Sequence, residues 1–254
     1  MRGKSGISAL GANFLLAFVL LVFVWVGIGR PAEVVANLDD IAKAVESFFP
    51  KVSGNVTKVE GPEIVFDLGR ESGISPGLVL AVYRLGEVFN HPLTGEPLGR
   101  FEETLGRVEV MNVEEHDSVG VLLEPNSRVA AGDGIRLTGG RIPLAVVSGP
   151  SKISQIVARE FSVSLSEIGR FRVLKEGEEA GSSSDPVGSA RALGADYLLR
   201  IDADSLNRAV SFKMSLVSTP KGSEIGHLDA RVEPSSKSDL ILENIQNYLL
   251  LHPN

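Results

Sequence analysis

The chain has 254 residues, a formal charge of −7 from 25 basic and 32 acidic side chains, and no cysteine. Without a thiol there can be no disulfide, thiolate metal site, cysteine nucleophile or lipid attached through an N-terminal cysteine. With 43% hydrophobic and 22% charged residues the sequence is that of a folded protein, and its acidic balance supplies no basic face for nucleic acid.

No charged residue lies between Ser5 and Gly29, and Phe14 to Ile28 is apolar on every side rather than along one stripe. Roughly 20 apolar residues cross a hydrocarbon core about 30 Å thick, so the run from Ile7 to Gly29 is long enough to span. Arg2 and Lys4 precede it while Glu33, Asp39 and Asp40 follow, which predicts the N-terminus in the cytoplasm and the body outside the inner membrane. A cleaved signal peptide is the alternative, with small residues at Gly27-Ile28-Gly29 or Val34-Val35-Ala36, and either version exports the body to the periplasm.

Residues 1–32 are thus read as anchor or signal and residues 33–50 as an amphipathic linker helix. Its apolar face holds Val34, Leu38, Ile41, Val45 and Phe48, and Pro50 ends it for want of an N–H donor. So short a stripe suits packing on its own domain, with a coiled-coil pair as the alternative.

From residue 51 to 140 the apolar period shortens to alternating runs bounded by Gly, Pro, Asn and Asp, the pattern of a small β-barrel. Strands are expected at Gly54–Val59, Glu63–Asp67, Val79–Tyr83, Gly106–Val113, Ser118–Leu123 and Gly134–Leu137. Ser75-Pro76-Gly77 and Gly132-Asp133-Gly134 supply turn chemistry. Residues 141–254 then alternate strand and helix in the order βαβαβββα, a mixed sheet with helices packed on it. The first helix carries Ile153, Ile156, Val157, Phe161, Leu165 and Ile168 on one face behind a Ser151 cap. An acidic, Ser/Gly-rich loop over Gly177–Pro186 precedes a short helix at Val187–Leu193, closed by Gly194. Strands follow at Tyr197–Ala203, Ala209–Val217 and Ile225–Val232, the last two joined through Pro220-Lys221-Gly222, and a terminal helix is expected at Asp239–Leu251. The fold class is therefore α+β: a membrane helix, a small β-barrel and a mixed-sheet α/β domain.

Several short motifs in the barrel region carry a family resemblance. Leu68-Gly69 before the Ile74-x-Pro76-Gly77 turn, Val82-Tyr83-Arg84, Thr94-Gly95 with Leu98-Gly99, and Gly132-Asp133 resemble the C-terminal domain of the flagellar assembly protein FlgT, an SH3-like barrel. In the second half, Gly169-Arg170-Phe171-Arg172-Val173 and Leu193-Gly194-Ala195-Asp196-Tyr197-Leu198-Leu199 resemble the α/β domain of the TolB N-terminal region, the secretion lipoprotein CsgG and penicillin-binding-protein activator lipoproteins. Those families imply envelope proteins that act through protein contacts. The domain order and the missing lipobox cysteine depart from them, so no flagellar or secretion-channel role is carried over.

Catalytic chemistry finds no purchase in the sequence. His91, His116, His227 and His252 lie on separate segments without the spacing of a zinc site, so no metal is expected. Asp202 and Asp204 share one side of a strand, which solvent exposure at a strand end explains better than a catalytic pair, since no neighbouring motif suggests a cleft. Ser148-Gly149-Pro150-Ser151-Lys152 joins a strand to a helix but lacks the order of a P-loop, and no cofactor is expected. The reading is a non-enzymatic assembly or scaffolding factor that binds envelope proteins and touches the inner membrane through its leader. A periplasmic activator of a cell-wall enzyme and a small-ligand or glycan module are the alternatives, and a homo-oligomer is compatible with all three. Candidate partner contacts are His91, Thr94, Glu96 and Arg100 on the longest barrel loop, with Arg170 and Arg172 beside the α/β sheet.

Overall fold

The computed structural model describes residues 34–35, 38–124, 126–174, 185–206 and 209–232. The expected membrane segment, most of the Gly177–Pro186 loop and the terminal helix fall outside them. Among the described residues no helix is long and apolar enough to cross a membrane.

Six antiparallel strands close into a barrel in the order β2-β3-β6-β5-β4-β7, with β7 returning to pair with β2. They are β2 (Ser53–Glu60), β3 (Glu63–Phe66), β4 (Val79–Asn90), β5 (Pro97–Val113), β6 (Ser118–Leu122) and β7 (Gly134–Arg136). Strand alternation sends Val56, Ile64, Phe66, Leu80, Val82, Val108, Val110 and Ile135 into the buried interior. The turn before β4 needs Gly77 at φ 86°, a left-handed conformation that costs other residues strain.

The second layer is a six-stranded mixed sheet ordered β1-β12-β11-β10-β8-β9. It comprises β1 (Val34–Val35), β8 (Ile142–Ser148), β9 (Phe171–Leu174), β10 (Tyr197–Leu206), β11 (Ala209–Ser218) and β12 (Glu224–Val232). Helices α1 (Leu38–Ser47) and α2 (Lys152–Glu167) pack on one face. On the other, α3 (Pro186–Ala192) buries Ala190 against Ala145, Val147 and Leu198. Helix α2 begins as the sequence indicates: Ser151 Oγ accepts from the Ser154 N–H at 2.9 Å, and Val157, Phe161 and Leu165 point into the core. The order from β8 to β12 reproduces the expected βαβαβββ run.

Two features go beyond the sequence reading. The segment expected to link anchor and body belongs to the α/β layer: β1 runs parallel to β12, and α1 lies against α2 with Ile41, Ala42 and Val45 buried. Its buried aromatic is Phe49 rather than Phe48, because the helix stops at Ser47 and the 3.6-residue period no longer governs the residues after it. Phe49 stands edge-on to Tyr197 at 4.9 Å and to Phe171 at 5.4 Å. Phe48 instead covers Gly226, where a Cβ would approach its ring to 2.5 Å.

Barrel and sheet share one continuous buried cluster. At their junction the Tyr197 hydroxyl accepts from the Val79 N–H at 2.7 Å and donates to the Val79 carbonyl at 3.3 Å. Burial pushes the Tyr197 phenol far up, so it stays a neutral donor and acceptor. Beside it, Glu109 of β5 is fully buried and accepts from the hydroxyls of Ser218 and Ser223 at 3.3 and 3.0 Å. Arg107 spans the same seam, donating to Asp196 at 2.6 Å and to Glu124 at 2.9 Å. Burial holds the Asp196 carboxyl above its usual range despite Arg107.

Because both Val79 backbone groups are then left buried and unmatched, Tyr197→Phe is expected to lower the unfolding free energy by about 1–3 kcal/mol without altering secondary structure. Urea unfolding followed by circular dichroism measures it.

Candidate functional site

The barrel strands are unequal. β4 and β5 run 12 and 17 residues, whereas β7 pairs with β4 only at Ala81–Tyr83 and β6 with β5 only over Val108–Val113. Beyond those pairings β4 and β5 continue as a two-stranded arm, from Arg84↔Glu103 to Asn90↔Pro97. The segment read from sequence as a long polar barrel loop is therefore mostly strand. Its register slips between Leu85 and Val88 and again between Phe89 and Asn90, which destroys the simple alternation that announces a strand.

Both sides of the arm are apolar and open to solvent: Leu85 is 50% exposed, Val88 45%, Leu98 56% and Phe101 63%, and Leu93 at the tip is 90% exposed. Register places Leu85, Val88, Arg100 and Glu102 on one face and Phe89, Gly99, Phe101 and Glu103 on the other. The Phe89 and Phe101 rings are 5.0 Å apart, and Phe89 lies over Gly99, where a Cβ would come within 3.1 Å of it. Isolated two-stranded ribbons are marginal in water, so this arm depends on its root.

The root is held by charge. Arg84 makes a two-pronged pair with Asp133, Nε to Oδ1 at 2.7 Å and a terminal nitrogen to Oδ2 at 2.8 Å, and also donates to the Arg128 carbonyl at 2.9 Å. Burial raises the Asp133 carboxyl, yet the Arg84 guanidinium and the Ala130 N–H together hold it below the usual carboxylate range. On the neighbouring side Arg136 of β7 lies 4.2 Å over the Tyr83 ring and is bonded to Glu102 of β5, which depresses the Glu102 carboxyl.

The six residues singled out from sequence fall in two places. His91, Thr94 and Glu96 build the tip: the His91 N–H donates to Glu96 at 2.8 Å, and its Nδ1 accepts from the N–H groups of Leu93 and Thr94 at 3.3 and 3.2 Å. Thr94 Oγ1 accepts from the Glu96 N–H at 3.4 Å. These three shape the turn, which holds Leu93 out into solvent. Arg100 lies in β5, not in a loop, opposite Val88, and among the described residues makes no ion pair. Arg170 and Arg172 belong to the β9 edge of the sheet, so they join no common patch with the arm; Arg170 is half-buried and Arg172 exposed. Sequence reasoning passed over Leu85, Phe89, Leu98 and Phe101, although two phenylalanines in an otherwise acidic loop were a readable signal.

Elsewhere several of the polar groups singled out from sequence have partners within the chain. Asp202 accepts from Arg200 at 3.1 Å, and His116 lies 2.9 Å from Glu71. At the start of α2, Ser151 and Ser154 both donate to the Ala203 carbonyl, at 3.1 and 3.2 Å, so their hydroxyls are turned to β10 and not to an anion. Among the described residues no group of three or more His, Asp or Glu side chains is arranged to hold a metal. A recess between α1 and the sheet, lined by Val45, Phe48, Leu199 and Met214, has a volume of about 10 Å³, room for about one water.

No protein-family model matches the chain. An uncharacterized protein of Aquifex aeolicus is 33% identical over 102 residues, which are 40% of this chain and 20% of that protein, so the match spans about a fifth of the relative's length. Among solved structures, the LpoB C-terminal domain of Salmonella enterica covers 38% of this chain and 88% of its own at 19% identity and a TM-score of 0.31. The PelC dodecamer of Paraburkholderia phytofirmans gives 43% and 85% coverage, 16% identity and a TM-score of 0.32. Lipoprotein GNA1162 of Neisseria meningitidis gives 44% and 98%, 17% and 0.30. Likeness of this order names neither a function nor a partner.

Asp133→Asn is expected to loosen the arm root and lower the thermal midpoint at neutral pH. A carboxyl whose folded pKa is depressed stabilises the fold above its unfolded value, here 3.8, and that contribution disappears as pH falls through the folded value. Melts recorded from about pH 7 to about pH 2 should show the wild type and the variant converging at the acid end.

Proposed function

We propose that this chain is a non-catalytic protein of the bacterial cell envelope that binds another envelope protein through the β4–β5 arm, in an assembly or scaffolding role. The observation that carries this reading is the solvent-facing apolar surface of Leu85, Val88, Leu93, Leu98 and Phe101 on a ribbon fixed at its root by Arg84 and Asp133. A folded protein hides such side chains when it can, and contiguous exposed apolar area marks a contact surface. Strand pairing fixes the backbone on which these side chains stand, so little ordering entropy remains to oppose association. The charge-free N-terminal stretch supports export, and the resemblance to envelope proteins that act through protein contacts supports the compartment.

A second reading is an activator of a cell-wall enzyme. It draws on the activator-lipoprotein resemblance, whose residues Gly169–Val173 and Leu193–Leu199 form the β9 edge and the α3–β10 passage of the mixed sheet. The arm would serve both readings, and the identity of the captured protein separates them.

The test replaces Leu85–Glu102 with an Asn-Gly turn, which suits a two-residue hairpin closing on Arg84 and Glu103. With a photo-crosslinker at Thr104, exposed at the arm root, in both forms, and additionally at Leu93 in the wild type, the wild type is expected to capture a defined envelope protein in intact cells. The shortened chain should capture none while retaining its barrel by circular dichroism. Undiminished capture by the shortened chain, or turnover of a small molecule by the purified protein, contradicts the proposal. A wall synthase as the captured protein selects the activator reading.

A further inference from the structure

Resting on the reading of the arm as a contact surface, we propose that one of its partners is a second copy of this chain, joined by antiparallel pairing of β5 with β5 about a two-fold axis at Phe101. One edge of β5 is taken by β4, and between Gly99 and Thr104 the other edge has no strand beside it among the described residues. That row of backbone donors and acceptors is a template for strand addition. β4 offers a poorer edge, since its extra residue between Leu85 and Val88 interrupts the arm midway, whereas β5 itself carries no extra residue from Gly99 to Thr104.

Charge selects the register. A two-fold axis through residue 101 sets Phe101 opposite Phe101 of the second copy and Arg100 opposite its Glu102, twice over by symmetry. Centring the axis on Arg100 would oppose two guanidinium groups, and centring it on Glu102 would oppose two carboxylates, both unfavourable across strands. Among the described residues Arg100 has no ion-pair partner, and Glu102 is already turned to this face by Arg136, with acceptor capacity left for a second donor. On the opposite face the same register lines up Phe89, Phe101 and their counterparts in one aromatic row across four strands. The two Phe101 side chains, each open in a single copy, are thereby set against one another.

The natural chain contains no cysteine, so a single introduced thiol reports one contact. In the full-length protein expressed in cells and treated with a mild oxidant, Phe101→Cys is expected to give a disulfide-linked dimer, because directly opposed antiparallel residues lie about 4.5–5.5 Å apart at Cα, within disulfide range. Glu103→Cys, on the same face but away from the axis, should not. Adding Arg100→Glu to Phe101→Cys should lower the yield about tenfold, and adding Arg100→Glu with Glu102→Arg should restore it, which a role confined to the Arg136 contact would not do. No dimer at position 101, or equal dimer at 101 and 103, overturns the self-pairing. If it fails while deletion of the arm still abolishes capture of an envelope protein, the contact-surface reading stands; if both fail, both are wrong.

Discussion

Barrel closure requires neighbouring strands to pair over only part of their lengths, and here β4 and β5 outrun the strands on either side of them. The exposed arm follows from that mismatch. Within the barrel the two strands bury Leu80, Val82, Val108 and Val110; beyond it the same two strands have no interior to serve, yet remain rich in large apolar side chains. The Arg84–Asp133 pair sits at the boundary between these regimes, and it anchors the ribbon where the third strand ends.

The opposite side of the barrel is committed in a different way. Tyr197 and Glu109 bind it to the mixed sheet through buried hydrogen bonds whose loss would leave unmatched polar groups, and the more exposed Arg107–Asp196 pair spans the same seam. This makes the barrel a stiff mount rather than a mobile appendage of the α/β layer. An arm carried by such a mount would lose little freedom on binding, which distinguishes its exposed leucine and phenylalanine side chains from scattered surface apolars.

Much of this was legible from the residues. The barrel strands with clean alternation, the Ser151 cap, the Gly194 helix stop and the Pro220-Lys221-Gly222 turn follow local rules that tertiary structure left undisturbed. The arm was not legible as strand because Gly86, Pro92, Pro97 and Gly99 punctuate it and its bulges break the two-residue period, so loop chemistry and ribbon chemistry look alike there. His91, Thr94, Glu96 and Arg100, named from sequence as contacts, all lie on this arm: the first three fold its tip and Arg100 stands in β5, while the leucine and phenylalanine side chains around them face solvent. The Tyr197–Val79 joint links residues far apart in sequence, and no local pattern encodes a contact of that kind.

The account stands or falls on whether the arm is covered in its native setting. Thiol labelling of Leu93→Cys and Leu85→Cys, compared between intact envelopes and the purified full-length chain, tests this directly, with Thr57→Cys on β2 as the exposed reference. The account predicts slowed labelling at both arm positions in the envelope and an unchanged rate at position 57. Equal rates at all three positions in both settings would contradict it.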